Sequence, residues 1–294
     1  MARYLDPKND LTFKRIFGEH PHLLISFLNA VMPFEAGRHI VELEYLPAEQ
    51  VPENPGKKNS IVDVKCKDNY KRQFIIEMQM DWDEVFMNRI VFNAGKAYVK
   101  QLKRREAYHL LKPVYTLAIL NDTFDHRTTQ FYHHYQIVNR ANTEEVIPGL
   151  EFVLIELEKF NAETVSDRRL SLLWLRFLKE VDENMSVLPS ELQDNEYIRQ
   201  AAELCEESAF TPEELAAYEK YWDIVRTEIA VRESAMRKGL EKGEALGLKK
   251  GRAERDALKI QIAVNAHREG VPMDKISAIT GLTSEQIIEI LKKI

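Results

Sequence analysis

The sequence predicts an α/β protein in which a mixed sheet flanked by helices occupies the first 160 residues and an all-α region follows. Three observations carry this. Short segments rich in β-forming residues and bounded by turn formers are confined to the first 160 residues. Helical patterns interleave with them in the order helix, strand, strand, helix, strand, strand, strand, which suits a mixed sheet. Beyond Phe160 the apolar residues recur only at helical spacing.

Taken in order, Phe13, Ile16 and Phe17 mark a first helix that Asn9 or Asp10 can cap. A second begins at Pro21, presents Leu23, Leu24, Phe27, Leu28 and Val31, and stops before Pro33. Residues 47–60 form a loop broken by Pro52, Pro55 and Gly56. A hairpin follows, with strands over residues 61–66 and 74–80 joined through Asp68, Asn69 and Tyr70. On its second strand Phe74, Ile76, Met78 and Met80 face one way and Ile75, Glu77 and Gln79 the other. Residues 83–105 read as a long helix with Val85, Phe86, Ile90, Ala94 and Ala97 towards the core. The nearly all-apolar residues 113–120 suit a central strand covered on both faces. Residues 134–138 and 151–157 add two more strands.

Leu170, Leu172, Leu173, Leu175 and Phe177 then belong to one helix, and further helices cover roughly residues 189–208 and 211–232. Gly239, Gly243, Gly247 and Gly251 fall at every fourth position. They form either a narrow stripe on a helix, open to close approach by another helix, or a flexible linker, because each interior glycine costs about 1 kcal/mol relative to alanine. Three short helices end the chain, at residues 260–266, 273–280 and 284–294. The last two are joined by Thr280-Gly281-Leu282-Thr283 in a helix-turn-helix pattern. Thr283 or Ser284 can cap the final helix, with Glu285 and Gln286 in its first turn. The expected organisation is a core over residues 1–160, an acidic helical extension over 161–231, a basic glycine-patterned segment over 232–259 and a tail over 260–294.

Of 294 residues, 45% are hydrophobic and 30% charged, a balance that suits a globular chain with a sizeable core. The net charge of −6 excludes a uniformly basic nucleic-acid coat, yet it hides a segregation. Residues 57–105 hold 12 basic and 6 acidic side chains, residues 141–231 hold 8 and 21, and residues 232–260 hold 9 and 5. Partners are therefore sought through two basic regions. No apolar run approaches a membrane span, and the first residues lack the apolar stretch of a signal peptide. Cys66 and Cys205 are too few for a disulfide framework or a cysteine-built zinc site. A reducing cytoplasm is the expected setting, with no membrane partner.

Asp63, Glu77 and Gln79 are the centre of the chemistry. In the hairpin, Asp63 on one strand and Glu77 on its neighbour can reach a common point. Two converging carboxylates make a hard oxygen site for Mg²⁺, with Mn²⁺ or Ca²⁺ as alternatives. Gln79 shares the Glu77 face and can hydrogen-bond an attacking water. Lys65 adds a cation beside the pair, and Arg89 and Lys96 lie on the next helix, as a phosphate-bearing substrate requires. Asp10 either caps the first helix or approaches this site. His126, His133 and His134 read as a solvated loop and strand, and Asp122 and Asp125 as end-of-strand turn residues.

The opening Leu5-Asp6-Pro7-Lys8-Asn9-Asp10-Leu11-Thr12-Phe13-Lys14-Arg15-Ile16-Phe17-Gly18 resembles the start of the recombination-promoting nuclease (Rpn) family, whose members belong to the PD-(D/E)XK nuclease superfamily. The resemblance continues through Ile61-Val62-Asp63-Val64, Ile75-Ile76-Glu77-Met78-Gln79, Asn88-Arg89 with Tyr98, residues 155–160 and residues 174–178, and on to the tail. It implies a restriction-endonuclease-like core and a metal-dependent DNA endonuclease of little sequence specificity that promotes recombination. Asp63 and Glu77 become the metal carboxylates, and Asp63, Glu77, Gln79 and Lys65 the catalytic set. Lys14, Arg89 and Lys96 become DNA contacts. Gln79 stands where most of the superfamily has lysine; it can position water but brings no positive charge, so Lys65, Lys14 or Arg89 must supply it. A competing reading is a non-catalytic DNA-binding or oligomerisation protein acting through its tail. The final helix is poor in base-reading side chains, which favours the tail as a homo-oligomerisation element. A DDE-type transposase would need an acidic triad that the Glu-X-Gln hairpin argues against.

Overall fold

The computed structural model describes residues 3–50, 60–161 and 170–292. It divides into two compact units, residues 1–226 and residues 227–294.

Helix α1 (Asp10–Glu19) is capped by Asn9, whose side chain accepts from the Leu11 N–H, and α2 (Pro21–Val31) starts on the expected proline. Asp10 is therefore a first-turn residue, and its carboxylate pairs with Lys14 at 2.7 Å. The sheet has six strands: β1 (Leu43–Tyr45), β4 (Val64–Asp68), β5 (Gln73–Gln79), β6 (Val114–Leu120), β7 (Tyr132–Asn139) and β8 (Asn142–Glu156). Their order is β1-β4-β5-β6-β8-β7, with β5, β6 and β8 parallel and the other pairings antiparallel. Glu49–Gln50 and Ser60–Ile61 pair separately as two-residue strands β2 and β3. Pro52, Pro55 and Gly56 of the expected loop lie outside the described residues.

Both faces of the sheet are covered. Val64, Cys66, Phe74, Ile76, Leu117, Ile119, Val153 and Ile155 share one core with α1, α2, α4 (Leu170–Glu180) and α6 (Glu196–Glu203). Its centre is aromatic: Phe17 lies 4.8 Å from Phe27 and 5.5 Å from Trp174, centroid to centroid. Trp174 is fully buried and donates its indole N–H to the Ser26 hydroxyl at 3.2 Å. Because α4 and α6 bury their apolar faces here, the end of the strands near residue 160 is not a boundary in packing. The compact unit runs on to Arg226.

Helix α3 (Glu84–Val99) covers the other face, where Phe86, Ile90, Ala94 and Ala97 meet Ile75, Val114, Ala118, Leu120 and Leu154. Two expectations need correction. Val85 is exposed, because it lies beside rather than within the stripe of Phe86, Ile90, Asn93 and Ala97. The helix also stops at Val99 instead of reaching Arg105, since Gln101 turns its amide onto the backbone N–H and C=O of Lys112 and Arg105 adopts φ 76°. Strand β8 begins at Asn142, earlier than expected, and pairs with β7 in a long hairpin.

The β4–β5 turn positions the site. Lys71 sits at φ 65°, and the buried Asp68 carboxylate holds the turn by accepting from the N–H groups of Tyr70 and Arg72, both at 2.9 Å, and from the Arg72 guanidinium at 2.6 Å. That guanidinium lies over the rings of Phe34 and Tyr70. The turn sets Val64 opposite Ile76 and Lys65 opposite Ile75. A slip of one residue would send Glu77 to the other face.

Helix α7 (Pro212–Arg268) is continuous through all four patterned glycines, so the helical reading holds over the linker. Among the described residues nothing lies within 4 Å of a side chain built at any of them. The expected short helix at residues 260–266 is the end of α7, whose residue Ala263 packs with Ile276 of α8 (Met273–Thr280) and Ile287 of α9 (Ser284–Lys292). Gly281 ends α8 at φ 70°, the left-handed position glycine takes most readily. Thr283 and Gln286 form a reciprocal capping box, with the Thr283 N–H on Oε1 of Gln286 at 2.9 Å and the Gln286 N–H on Oγ1 of Thr283 at 3.3 Å. Both cysteines are buried and unpaired, and no described helix is long and apolar enough to cross a membrane.

Candidate active site

Asp63 lies in the bend immediately before β4, and Glu77 lies on β5 one step beyond the Val64–Ile76 pair, so the register brings the two carboxylates side by side. Oδ2 of Asp63 accepts from the Met78 N–H at 2.6 Å. Glu77 is buried, and its Oε1 accepts from Nδ2 of Asn93 at 3.1 Å. Burial pushes the Asp63 carboxyl up to about 6; the Met78 N–H, Lys14 and Arg89 oppose the rise and Asp10 adds to it. Burial and the neighbouring Asp63 push Glu77 up to about 7, against Arg89, Asn93 and Lys14. The two acids disfavour each other's ionised form, as expected of carboxylates sharing one site.

Lys14 and Arg89 thus act on both members of the pair. Asp10 does so on Asp63 and is drawn towards the site rather than serving as the helix cap. Gln79 has both ends of its amide engaged: Oε1 accepts from Nη2 of Arg89 at 2.5 Å and Nε2 donates to the Asp81 carbonyl at 2.7 Å. In this arrangement it holds a guanidinium, and orienting a water would require one of those bonds to open. Lys65 is only 9% exposed and sits two pairs along the hairpin from Asp63 and Glu77, level with Ile75. Burial, Lys100 and Lys96 hold its ammonium below the ordinary lysine value. The Lys96 ammonium lies 5.6 Å from the centroid of the Phe92 ring.

Asn93 was missed by sequence reasoning. It is fully buried on the inner stripe of α3, one turn beyond Arg89, and its Oδ1 has no hydrogen-bond partner among the described residues. A polar residue in an apolar stripe was the available signal, since such a group is buried only where something needs it.

The other candidates resolve as structural groups. Asp122 accepts from the Trp82 N–H at 2.9 Å and the Thr123 N–H at 2.7 Å, and Asp125 from the Arg127 backbone and guanidinium. His133 meets Glu156 at 2.7 Å and His134 meets Glu151 at 3.1 Å. Among the described residues no three His, Cys, Asp or Glu side chains gather as a ready-made metal cage.

Residues 7–234 of the chain are matched by the family model described as PD-(D/E)XK nuclease family transposase. The chain belongs to this family. Comparison with curated proteins and with solved structures gives no match. The PD-(D/E)XK match takes in the whole six-stranded sheet and the first part of α7 but ends before the patterned glycines. The family's mixed sheet flanked by helices is therefore present here, followed by a helical C-terminal region, and a nuclease-like function is the coarse assignment.

Proposed function

We propose that this protein is a metal-dependent endonuclease that hydrolyses DNA phosphodiester bonds with little sequence readout, promotes recombination by making DNA ends, and works in the cytoplasm, where its two thiols stay reduced. The observation that carries the reading is the pairing of half-buried Asp63 with buried Glu77, flanked by Lys14 and Arg89.

The donor set fits Mg²⁺, with Mn²⁺ or Ca²⁺ as alternatives. It offers two hard oxygen ligands whose ionised forms repel one another, and Mg²⁺ is commonly bound by one or two carboxylates, its remaining positions filled by water and substrate phosphate. Asp63 and Glu77 would hold it. A divalent ion in such a site polarises a phosphoryl oxygen and acidifies a bound water. The chain's own residues do the rest. The Met78 N–H and Asn93 aim the two carboxylates. Gln79 presents Arg89 where most of the superfamily has lysine, so the missing charge comes from a neighbouring helix through a hydrogen bond. Lys14 approaches the same carboxylates from α1, and together these cations neutralise the phosphate and its developing charge.

Purified full-length protein incubated with supercoiled plasmid and EDTA, Mg²⁺, Mn²⁺ or Ca²⁺ tests the reading. Nicking that needs metal is expected. Arg89→Ala and Lys14→Ala should each lower the rate by about two to three orders of magnitude, the range for losing one group that stabilises transition-state charge. Metal-independent nicking, or unchanged rates in both variants, would overturn the assignment.

A second reading concerns the tail. Met236, Leu240, Leu246, Leu248, Leu258, Ile260 and Ile262 are exposed along α7. This favours homo-oligomerisation through the C-terminal region. Sedimentation equilibrium of the full chain should reveal a self-associated species, and a monomer at every concentration would sink the idea.

A further inference from the structure

Among the described residues, Gln73 Oε1, Asn93 Oδ1, Thr116 Oγ1 and Trp222 Nε1 are buried side-chain atoms without a hydrogen-bond partner. Of these side chains, Asn93 is the one bonded to the acidic pair: its Nδ2 donates to Oε1 of Glu77 at 3.1 Å. The other buried residues of α3, namely Phe86, Ile90, Ala94 and Ala97, are apolar, so a polar group in their midst needs a reason.

An amide has a donor end and an acceptor end, and Glu77 uses only the donor. Both ends belong to one small planar group, which keeps Oδ1 within a few ångströms of the same carboxylate. Turning the amide over would set Oδ1 against Oε1, two acceptors facing each other whenever Glu77 is ionised. Oδ1 is thus a buried oxygen beside the pair that no described donor reaches.

A divalent ion calls for such an oxygen. Mg²⁺ and Ca²⁺ are ringed by oxygen ligands, and amide carbonyls join carboxylates in that role. Asp63 and Glu77 fill only part of the ring, and no third His, Cys, Asp or Glu among the described residues gathers with them. The Asp10 carboxylate is paired with Lys14 at 2.7 Å. Thr116 lies on the Glu77 face of the sheet, because β6 sets Thr116 level with Ile75 and Ala118 level with Glu77. Its hydroxyl donates as well as accepts, so it makes no comparable demand for a cation.

We propose that Oδ1 of Asn93 is a third oxygen ligand of the divalent ion that Asp63 and Glu77 would hold. This rests on the metal-dependent reading of the site and deepens it. One side chain then has two tasks: Nδ2 fixes Glu77, and Oδ1 fixes the ion.

The test uses full-length protein titrated calorimetrically with Mg²⁺ and Ca²⁺, and with Tb³⁺ as a luminescent probe that Mg²⁺ should displace. Lifetimes of bound Tb³⁺ in H₂O and D₂O count the waters on the ion. Asn93→Leu should weaken binding of each ion by at least about tenfold, the lower end for losing even an outer-shell partner, and should add one water to bound Tb³⁺. Asn93→Asp keeps an oxygen in place and should keep the wild-type water count. Thr116→Val should change neither quantity. Weaker binding with an unchanged water count would mean that Asn93 acts only through Glu77, and would overturn the proposal. An equal loss in Thr116→Val would overturn it too. Should Asn93→Leu fail to fold, Asn93→Ala carries the same test. A raised water count in a protein that never cuts DNA would leave the third ligand standing and remove the nuclease reading. Metal-dependent cleavage with an unchanged count would do the reverse.

Discussion

Replacing Glu77 by glutamine is expected to abolish plasmid cleavage while raising the melting temperature of the metal-free protein at pH 8. The two effects share one cause. Glu77 is pushed from 4.5 up to about 7 by burial and by Asp63, and Asp63 from 3.8 up to about 6. A carboxyl whose folded pKa exceeds its unfolded value favours folding while it is protonated. Its contribution is full at low pH and is lost as the pH rises through the two values, here from about 4 to about 7. Above that window the metal-free protein carries two ionised acids that repel. Glu77→Gln removes one charge and keeps an acceptor for Nδ2 of Asn93.

With about 1.4 kcal/mol per pKa unit, and the two acids coupled, the gain is about 2–3 kcal/mol. That amounts to several degrees for a unit of this size. Asp63→Asn should behave in the same way. Adding Mg²⁺ should stabilise the wild type and leave both variants unmoved, because ligand binding to the native state alone adds stability. Melting curves from pH 5 to 8, with and without Mg²⁺, decide the matter. A wild type as stable as Glu77→Gln at pH 8 without metal would mean that the pair is not strained.

Glu156→Ala is expected to be the most destabilising single change, at about 3–5 kcal/mol, the cost of removing one partner from a buried ion pair. The Glu156 side chain is wholly buried at the end of β8. It accepts from Nε2 of His133 at 2.7 Å, Nζ of Lys159 at 2.6 Å, and the N–H groups of Phe124 at 2.7 Å and Asp125 at 3.1 Å. Burial alone would raise its pKa, but these donors outweigh burial and hold the carboxyl below the usual range. A depressed pKa contributes stability above the unfolded value, and that contribution is lost as the pH falls through the folded value. Glu156→Ala should therefore show a large deficit in urea unfolding at pH 7 and a smaller one below pH 4. Equal midpoints at pH 7 would refute this account.

The effect also reaches the site. Glu156 anchors Phe124 and Asp125, and in the same loop Asp122 holds the Trp82 N–H beside Asp81, whose carbonyl fixes Gln79 and hence Arg89.

Much of this was legible in the residues. The apolar run through β6 announced a central strand, Pro21 and Asn9 marked helix starts, and the hairpin alternation put Glu77 and Gln79 on one face. Local rules suffice there, because cap, turn and side-chain periodicity depend on near neighbours. The alternation also implied an Asp63–Glu77 meeting, which holds because the Asp68–Arg72 turn sets the register. Less legible were the end of α3, decided by the Gln101–Lys112 bonds, and the unity of the sheet with α4 and α6, decided by the core around Trp174. A break in strand pattern says nothing about which surfaces pack together.

Composition, spacing and local motif by themselves determined the α/β class, the main helices and strands and the acidic pair, but not the short strands β1 and β2, the latter inside the expected loop. What only the tertiary structure decided is where each cation sits: Arg89 on the Gln79 amide, Lys14 of α1 near the acidic pair, Lys65 near Lys96 and Lys100. The partner of Asn93, too, became visible only when α3 was laid across β5. Charges separated by tens of residues are sorted by how helices cross strands, and no spacing along the chain encodes that crossing.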